Sequence, residues 1–383
     1  MDQERFDRIR LARSEGIGPA GYRRALDRFG SAGEALRLLP GLAGRAGGRP
    51  MQPADERRIA REIAWAEAQR ASWLILGDSD YPALLAEIAD APPLLMLRGD
   101  RALLRAPCVA MVGARNASAA AGRIARGLAR DLALAGHAVV SGLARGVDTA
   151  AHQGALTVEP ARTIAVIASG IDIAYPPENA GLQERIAREG LLIAEQPPGA
   201  EPRARNFPFR NRIIAGLSAA TLVVEAAPKS GSLITARLAG DYGREVLAVP
   251  GSPLDPRAHG CNELIRAGAT LVQSAADVIE AITPFAPREP ALPLEAPPRA
   301  HPARSASAPA LSTGRGTPSR GKENGMEGRD MLGLLGPVPV PVDELIRQSG
   351  LDPSAVQAML LDLELAGRLE RHPGARVALR PAE

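Results

Sequence analysis

The chain carries forty-four arginines and only two lysines, yet Lys229 sits directly before a Ser-Gly-Ser turn in PKSGSLITARLAG, residues 228–240. The hydroxyls and free amides of Ser230, Gly231 and Ser232, at the start of the helix that follows, form an anion cradle. A compact ammonium fits a crowded phosphate site where a planar guanidinium does not. Three other stretches carry related chemistry. VGARNAS, Val112 to Ser118, offers Gly113 for a tight turn and Ser118 as a helix cap, with Arg115 aimed at an anion held by that helix's first amides. In SGLARGVDTAAH, Ser141 to His152, Gly142 and Gly146 flank Arg145. Asp148 there reads as a helix N-cap, and His152 falls within the helix, where packing is its ordinary role. PRARNFPFRNR, residues 202–212, holds four arginines and no acid, interleaved with Phe207 and Phe209. Guanidiniums track backbone phosphates and exposed rings stack on unpaired bases, the two things single-stranded nucleic acid requires. The same pattern also suits phenylalanine core anchors beneath a solvated basic face, although Arg210 and Arg212, directly before a helix, are better placed for an anion.

The elements between these stretches must hold them together. Short apolar runs alternate with helical patterns: CVAMV (108–112), AVVSG (138–142), TIAVIA (163–168), LLIAE (191–195), TLVVEA (221–226) and EVLAVP (245–250). Between the first two, SAAAGRIARGLARDLALAG has a 3.6-residue apolar period and stops at Gly136. That is one βαβ unit. Its repetition predicts an extended Rossmann-like α/β fold, a doubly wound, mostly parallel sheet with right-handed crossovers and with edge strands at 73–77 and 94–99. Such a sheet takes its ligand in the crevice beyond the carboxyl ends of its strands, where the four stretches converge.

At 383 residues the chain exceeds a single core, and four regions are expected. Residues 1–70 read as a helical, helix-hairpin-helix or SAM-like domain punctuated by SEGIGPAG and LPGLAG, a pattern equally compatible with DNA contact and with plain helix packing. Residues 71–285 form the Rossmann-like domain. Residues 286–330 hold eight prolines and no Val, Ile, Phe, Tyr or Trp, the composition of a disordered linker. Residues 331–383 read as a winged helix whose third helix starts at Asp352 and Pro353 and ends at Gly367. Positions 353–366 contain Asp362 and Glu364 but no Lys or Arg, which favours a protein-interaction or structural role over DNA readout.

A net charge of +3 and a pI near 9.2 permit a polyanionic partner without requiring one. The charged opening MDQERFDRIR and the lack of any long apolar run argue against a signal peptide or membrane span, so a cytoplasmic location is expected. Cys108 and Cys261 have no metal-ligand spacing, and neither a metal nor a cofactor is expected.

VGARNAS, SGLARGVDTAAH, FPFRNRIIAGLS, VVEAAPKSGSLITARLAGDYGREVLAVPG and HGCNELIRAGAT, in order from residue 109 to about 270, together closely resemble the DNA-processing family called DprA or Smf. The helical N-terminal region and the tail also look like those of many members. The resemblance implies a homodimer that binds single-stranded DNA, protects incoming DNA and loads the RecA recombinase onto it in natural transformation. It further implies a DNA-contacting pocket that holds Arg115 and Lys229 and is lined or shaped by Arg210, Asn211, Arg212, Gly142, Arg145 and Gly146. Members more usually carry Ser or Thr at Ala114, so one hydroxyl donor is missing here while the basic contacts stay.

Three function classes follow. The first is a non-catalytic single-strand binder and recombinase loader, since no convincing nucleophile, base or metal cluster stands out. The alternative is a nucleotide-binding Rossmann-like enzyme or sensor using Glu225, Asp172 or Glu195 near strand ends. Against it, no Gly-Gly phosphate loop followed by Thr and an acid is present, nor an acid ending the second strand to hold a ribose. The third, compatible with the first, is an adaptor that recruits partners through the linker and tail.

Overall fold

The computed structural model describes residues 2–45, 52–283, 335, 339–372 and 374–379, which divide between two compact units. The first opens with helices α1 (Gln3–Ala12), α2 (Pro19–Phe29), α3 (Ala32–Arg45) and α4 (Glu56–Ala68). Asp2 and Asp55 cap α1 and α4 by accepting the N–H three residues on, while Pro19 starts α2 and a left-handed Gly30 ends it. These helices do not bury their apolar faces among themselves alone. Ile9, Ile59 and Ala66 join Trp73, Ile75 and Met96 in one core cluster with the sheet.

The sheet region runs β1 (Ser72–Ile75), α5 (Ala83–Glu87), β2 (Leu94–Gly99), β3 (Cys108–Val112), α6 (Ala119–Leu134), β4 (Ala138–Ser141), α7 (Val147–Ala155) and β5 (Thr163–Ile167). It continues through α8 (Ala180–Glu189), β6 (Leu191–Ala194), α9 (Asn206–Leu217), β7 (Ala220–Val223), α10 (Gly231–Asp241), β8 (Glu245–Ala248), α11 (His259–Arg266), β9 (Thr270–Leu271) and α12 (Ala275–Ile282). The nine strands are ordered β1-β2-β6-β5-β4-β3-β7-β8-β9. All neighbours from β6 to β9 are parallel, and β2 pairs antiparallel with both β1 and β6. The segment 94–99 is therefore an inner strand, not the edge strand expected of it. Period-2 alternation buries both faces: Cys108, Ala110 and Val112 of β3 enter one cluster, and Val109 and Met111 another. Outward from β3 the chain builds β4, β5 and β6 on one side, then returns to lay β7 on the other. The switch point thus lies beyond the carboxyl ends of β3 and β7.

The second unit contains β10 (Val340–Pro341), α13 (Val342–Ser349), α14 (Pro353–Leu365), β11 (Leu369–His372) and β12 (Arg376–Leu379). Its sheet is ordered β10-β12-β11, and Leu345, Val356, Leu360, Leu363 and Val377 form a core of their own, the winged-helix arrangement. Asp352 accepts the Ser354 N–H at 2.9 Å, with Pro353 at the first helical position. The expected linker, 286–330, and nearly all of residues 331–338 lie outside the described residues. Among the described residues no cluster of His, Cys, Asp or Glu could hold a metal, and no helix is long and apolar enough to cross a membrane.

Candidate nucleic-acid interface

A groove of about 820 Å³ occupies the switch point. It is lined by the turn after β3 (Gly113, Ala114, Arg115), the first turns of α9 (Phe207, Pro208, Arg210, Asn211) and the turn after β7 (Ala227 to Ser232). Its charged side chains are Arg115, Arg210 and Lys229 against one carboxylate, Asp148. The wall is therefore net cationic, as a phosphate backbone requires.

Each cation is held differently. Lys229 is exposed, on a turn closed by the Ser230 N–H on the Ala227 carbonyl at 3.1 Å. Its φ of +67° lies in the left-handed region that residues other than glycine enter at a cost. Ser230 caps α10, accepting the Ser232 N–H, and the two hydroxyls share a 2.8 Å hydrogen bond, so the cradle is partly self-satisfied with Gly231 exposed at its mouth. Arg115 is exposed, its guanidinium carbon 5.2 Å from the centre of the Phe207 ring. Arg210 approaches the same ring at 6.0 Å but is buried, with Nη1 4.0 Å from Asp148.

Glycines make this packing possible. A β-carbon on Gly142 would overlap the Arg210 guanidinium, so the end of β4 must be bare for the arginine to lie across it. Gly146, at φ +74°, brings its backbone against the Ala114 carbonyl, which also accepts the Val147 N–H at 3.2 Å. The loops after β3 and β4 are thereby clasped. Asp148 is not the helix cap expected of it: its carboxylate accepts the Gly142 and Ala144 N–H groups at 3.1 and 3.3 Å and braces the loop. Burial pushes that carboxyl above the usual range, with Arg210 and the two amides pulling back, and burial likewise lowers the Arg210 pKa. His152 is fully buried, 2.7 Å from the Thr163 hydroxyl, and burial together with Arg210 takes its pKa down to about 3. It is a neutral packing residue that does not line the groove.

Several expected residues stand elsewhere. Arg212 is 4% exposed and turned from the groove, donating to the Asp90 carbonyl at 2.6 Å and to Glu195. Ser118 is occupied as the α6 cap, and its own N–H donates to Glu225 at 3.0 Å, so the anion at that helix end is an internal carboxylate. Arg145 is paired with Glu178 and lines a smaller cavity continuous with the Arg115 side of the groove. Neither phenylalanine is a core anchor: Phe207 is half-buried against the groove and Phe209 is 55% exposed. Sequence reasoning missed Tyr175, whose ring meets Phe207 edge-on at 5.7 Å. The available signal was its rarity, one of four tyrosines, in a Pro-rich turn after β5.

Residues 72–283 match the family model described as DNA recombination-mediator protein A. The chain belongs to that family. Residues 2–64 match its DprA-like N-terminal HHH domain and residues 324–375 its DprA winged helix domain. Protein Smf of Escherichia coli (strain K12) is 35% identical over 329 residues, covering 85% of this chain and 82% of that protein. The DNA processing protein DprA of Streptococcus pneumoniae (strain ATCC BAA-255 / R6) is 46% identical over 212 residues, 54% of this chain and 73% of that one. In three dimensions the DprA of Streptococcus pneumoniae superposes with a TM-score of 0.64 at 37% identity, over 73% of this chain and 98% of that one. DNA processing protein A from Helicobacter pylori, described by its single-stranded DNA binding mode, gives 0.51 at 32% identity, over 56% of this chain and 97% of that one. The groove falls inside the segment shared with the recombination-mediator model.

Proposed function

We propose that this recombination-mediator family member binds single-stranded DNA in the groove between β3, α9 and β7, with Arg115 and Lys229 on the phosphates. Asn211, Gly113, Ser230, Gly231 and Ser232 shape the wall, and Arg210, Gly142 and Gly146 set its floor. The observation that carries the reading is the pairing of two exposed cations with a half-buried aromatic ring over one buried acid. An open cationic trough suits a flexible single strand better than a duplex, whose bases are not free to stack. The wider role we infer is to protect incoming DNA and deliver it to the RecA recombinase, as a cytoplasmic homodimer acting by binding and not by catalysis. The family's description as a recombination mediator and the Helicobacter pylori relative's single-strand binding support it. Residues 1–70 and 331–383 serve as accessory modules, the latter for protein contact.

The test is fluorescence anisotropy with labelled single- and double-stranded oligonucleotides, for the native chain and for Arg115→Ala with Lys229→Ala. A single-strand preference that collapses in the double variant is expected. Equal, weak binding of both forms that ignores the substitutions would refute the site.

A further inference from the structure

Arg210 does more than floor a groove. Its side chain is 7% exposed, its Nη1 is beyond hydrogen-bond distance from Asp148, and its buried Nε has no partner among the described residues. Buried guanidinium donors are ordinarily paired, so this one is short of an acceptor. The same guanidinium walls a cavity of about 280 Å³ beside the main groove, with Gly142, Arg115, Arg145, Tyr175 and Phe207 among its lining. That volume is close to the roughly 300 Å³ at which small-molecule sites begin, room for one nucleotide and not for a run of them. Of the carboxylates nearby, Glu178 is held by Arg145 and Asp148 lies behind Arg210, so the cavity face keeps an excess of cation.

We propose that this cavity takes a single nucleotide bearing a phosphomonoester, its phosphate on Arg210 and Arg115 and its base on Tyr175 and Phe207. A phosphomonoester brings about −1.5 to −2 charge and three acceptor oxygens, which matches under-used donors better than a diester does. An internal phosphodiester has one oxygen fewer to offer these donors and carries a nucleotide on each side, only one of which the cavity can hold. The ligand comes from one of two sources, the phosphorylated end of a strand lying in the groove or a free nucleoside monophosphate. The strand-end source rests on the groove reading above, whereas the free source does not.

The experiment uses the full chain and an internally labelled oligothymidylate in three forms, 5′-phosphorylated, 3′-phosphorylated and unphosphorylated, plus calorimetric titration with thymidine monophosphate and with thymidine. One phosphorylated form should bind about tenfold more tightly than the unphosphorylated strand, or the monophosphate should bind saturably where thymidine does not, as one charge-assisted hydrogen bond gained implies. That discrimination should fall to near unity when Arg210→Gln is combined with Asp148→Asn, which removes both members of the buried pair together. Tyr175→Ala, at a 42% exposed ring, gives a second variant that leaves the core alone and should weaken the favoured ligand's advantage. Ratios are compared within each variant, so a general loss of strand affinity cancels. Equal affinity for all three strands with no monophosphate binding overturns the cavity while leaving single-strand binding standing. Discrimination that survives in both variants overturns its assignment here. Monophosphate binding without any strand binding sinks the groove reading alone.

Discussion

The salt dependence of strand binding offers the sharpest test of the groove. Arg115 and Lys229 are its two exposed cations, and neither is tied to a carboxylate by an ion pair among the described residues. Each phosphate contact to a single strand contributes about 0.7 to the slope of log K against log salt, so removing both should make that slope shallower by about 1.4. At 0.1 M salt the same exponent means roughly 25-fold weaker binding, shrinking to about fivefold at 0.3 M. Anisotropy titrations at four or five salt concentrations, native against Arg115→Ala with Lys229→Ala, read both quantities. Arg123→Ala, exposed on α6 and away from the groove, controls for net charge and should leave the slope nearly unchanged. A double variant that loses affinity at every salt concentration by one constant factor would refute the argument, because the lost contacts would then not be phosphate contacts.

Three further outcomes follow from the geometry. Lys229→Gly should raise stability by about 1 kcal/mol in chemical denaturation, because glycine accepts the left-handed turn, while weakening strand binding; a fall in stability would mean that the lysine stem packs. Arg212→Ala should cost about 3 kcal/mol by leaving the partly buried Glu195 without its close partner, with the salt slope of the folded protein unchanged; an altered slope would return Arg212 to the site. For His152, with a folded pKa of about 3 against 6.5 in the unfolded chain, only the unfolded state takes up a proton between those values. Stability therefore falls as pH drops through that window, by up to about 1.4 kcal/mol per unit, and between pH 7 and 5 the native chain should lose about 2 kcal/mol more than His152→Gln. Parallel pH dependences would contradict that protonation state.

The parallel part of the sheet was legible because burial on both faces writes continuous apolar runs, and the strand-end rule then placed Gly113, Arg115, Lys229 and the Ser230 turn at one crevice without any contact being known. Where the rule is silent, the reading failed. β2 looks like an edge strand in sequence since an antiparallel insertion between β1 and β6 leaves no periodic mark of its neighbours. Asp148 and Ser118 have the composition of caps, and Ser118 is one. At Asp148 the cap position falls two residues earlier, on Gly146, so the helix begins at Val147 and the carboxylate turns back to the preceding loop. A two-residue shift in a helix start is below what local sequence encodes.

Arg210 and Arg212 show the same limit at the site itself. Reading them as lying just before a helix gave both the freedom to reach one anion. α9 instead begins at Asn206, with Pro208 in its first turn where the missing N–H costs nothing, so both arginines are already helical. Two residues on an α-helix are about 200° apart, so one guanidinium facing the groove obliges the other to face away. Which one turns inward is set by carboxylates far off in sequence: Asp90 and Glu195 meet Arg212, and Asp148 meets Arg210. Arg212 finds close partners and becomes structural. Arg210 finds a distant one, keeps its donors under-used beside an open cavity, and is for that reason the arginine of the pair on which the proposed nucleotide site is built.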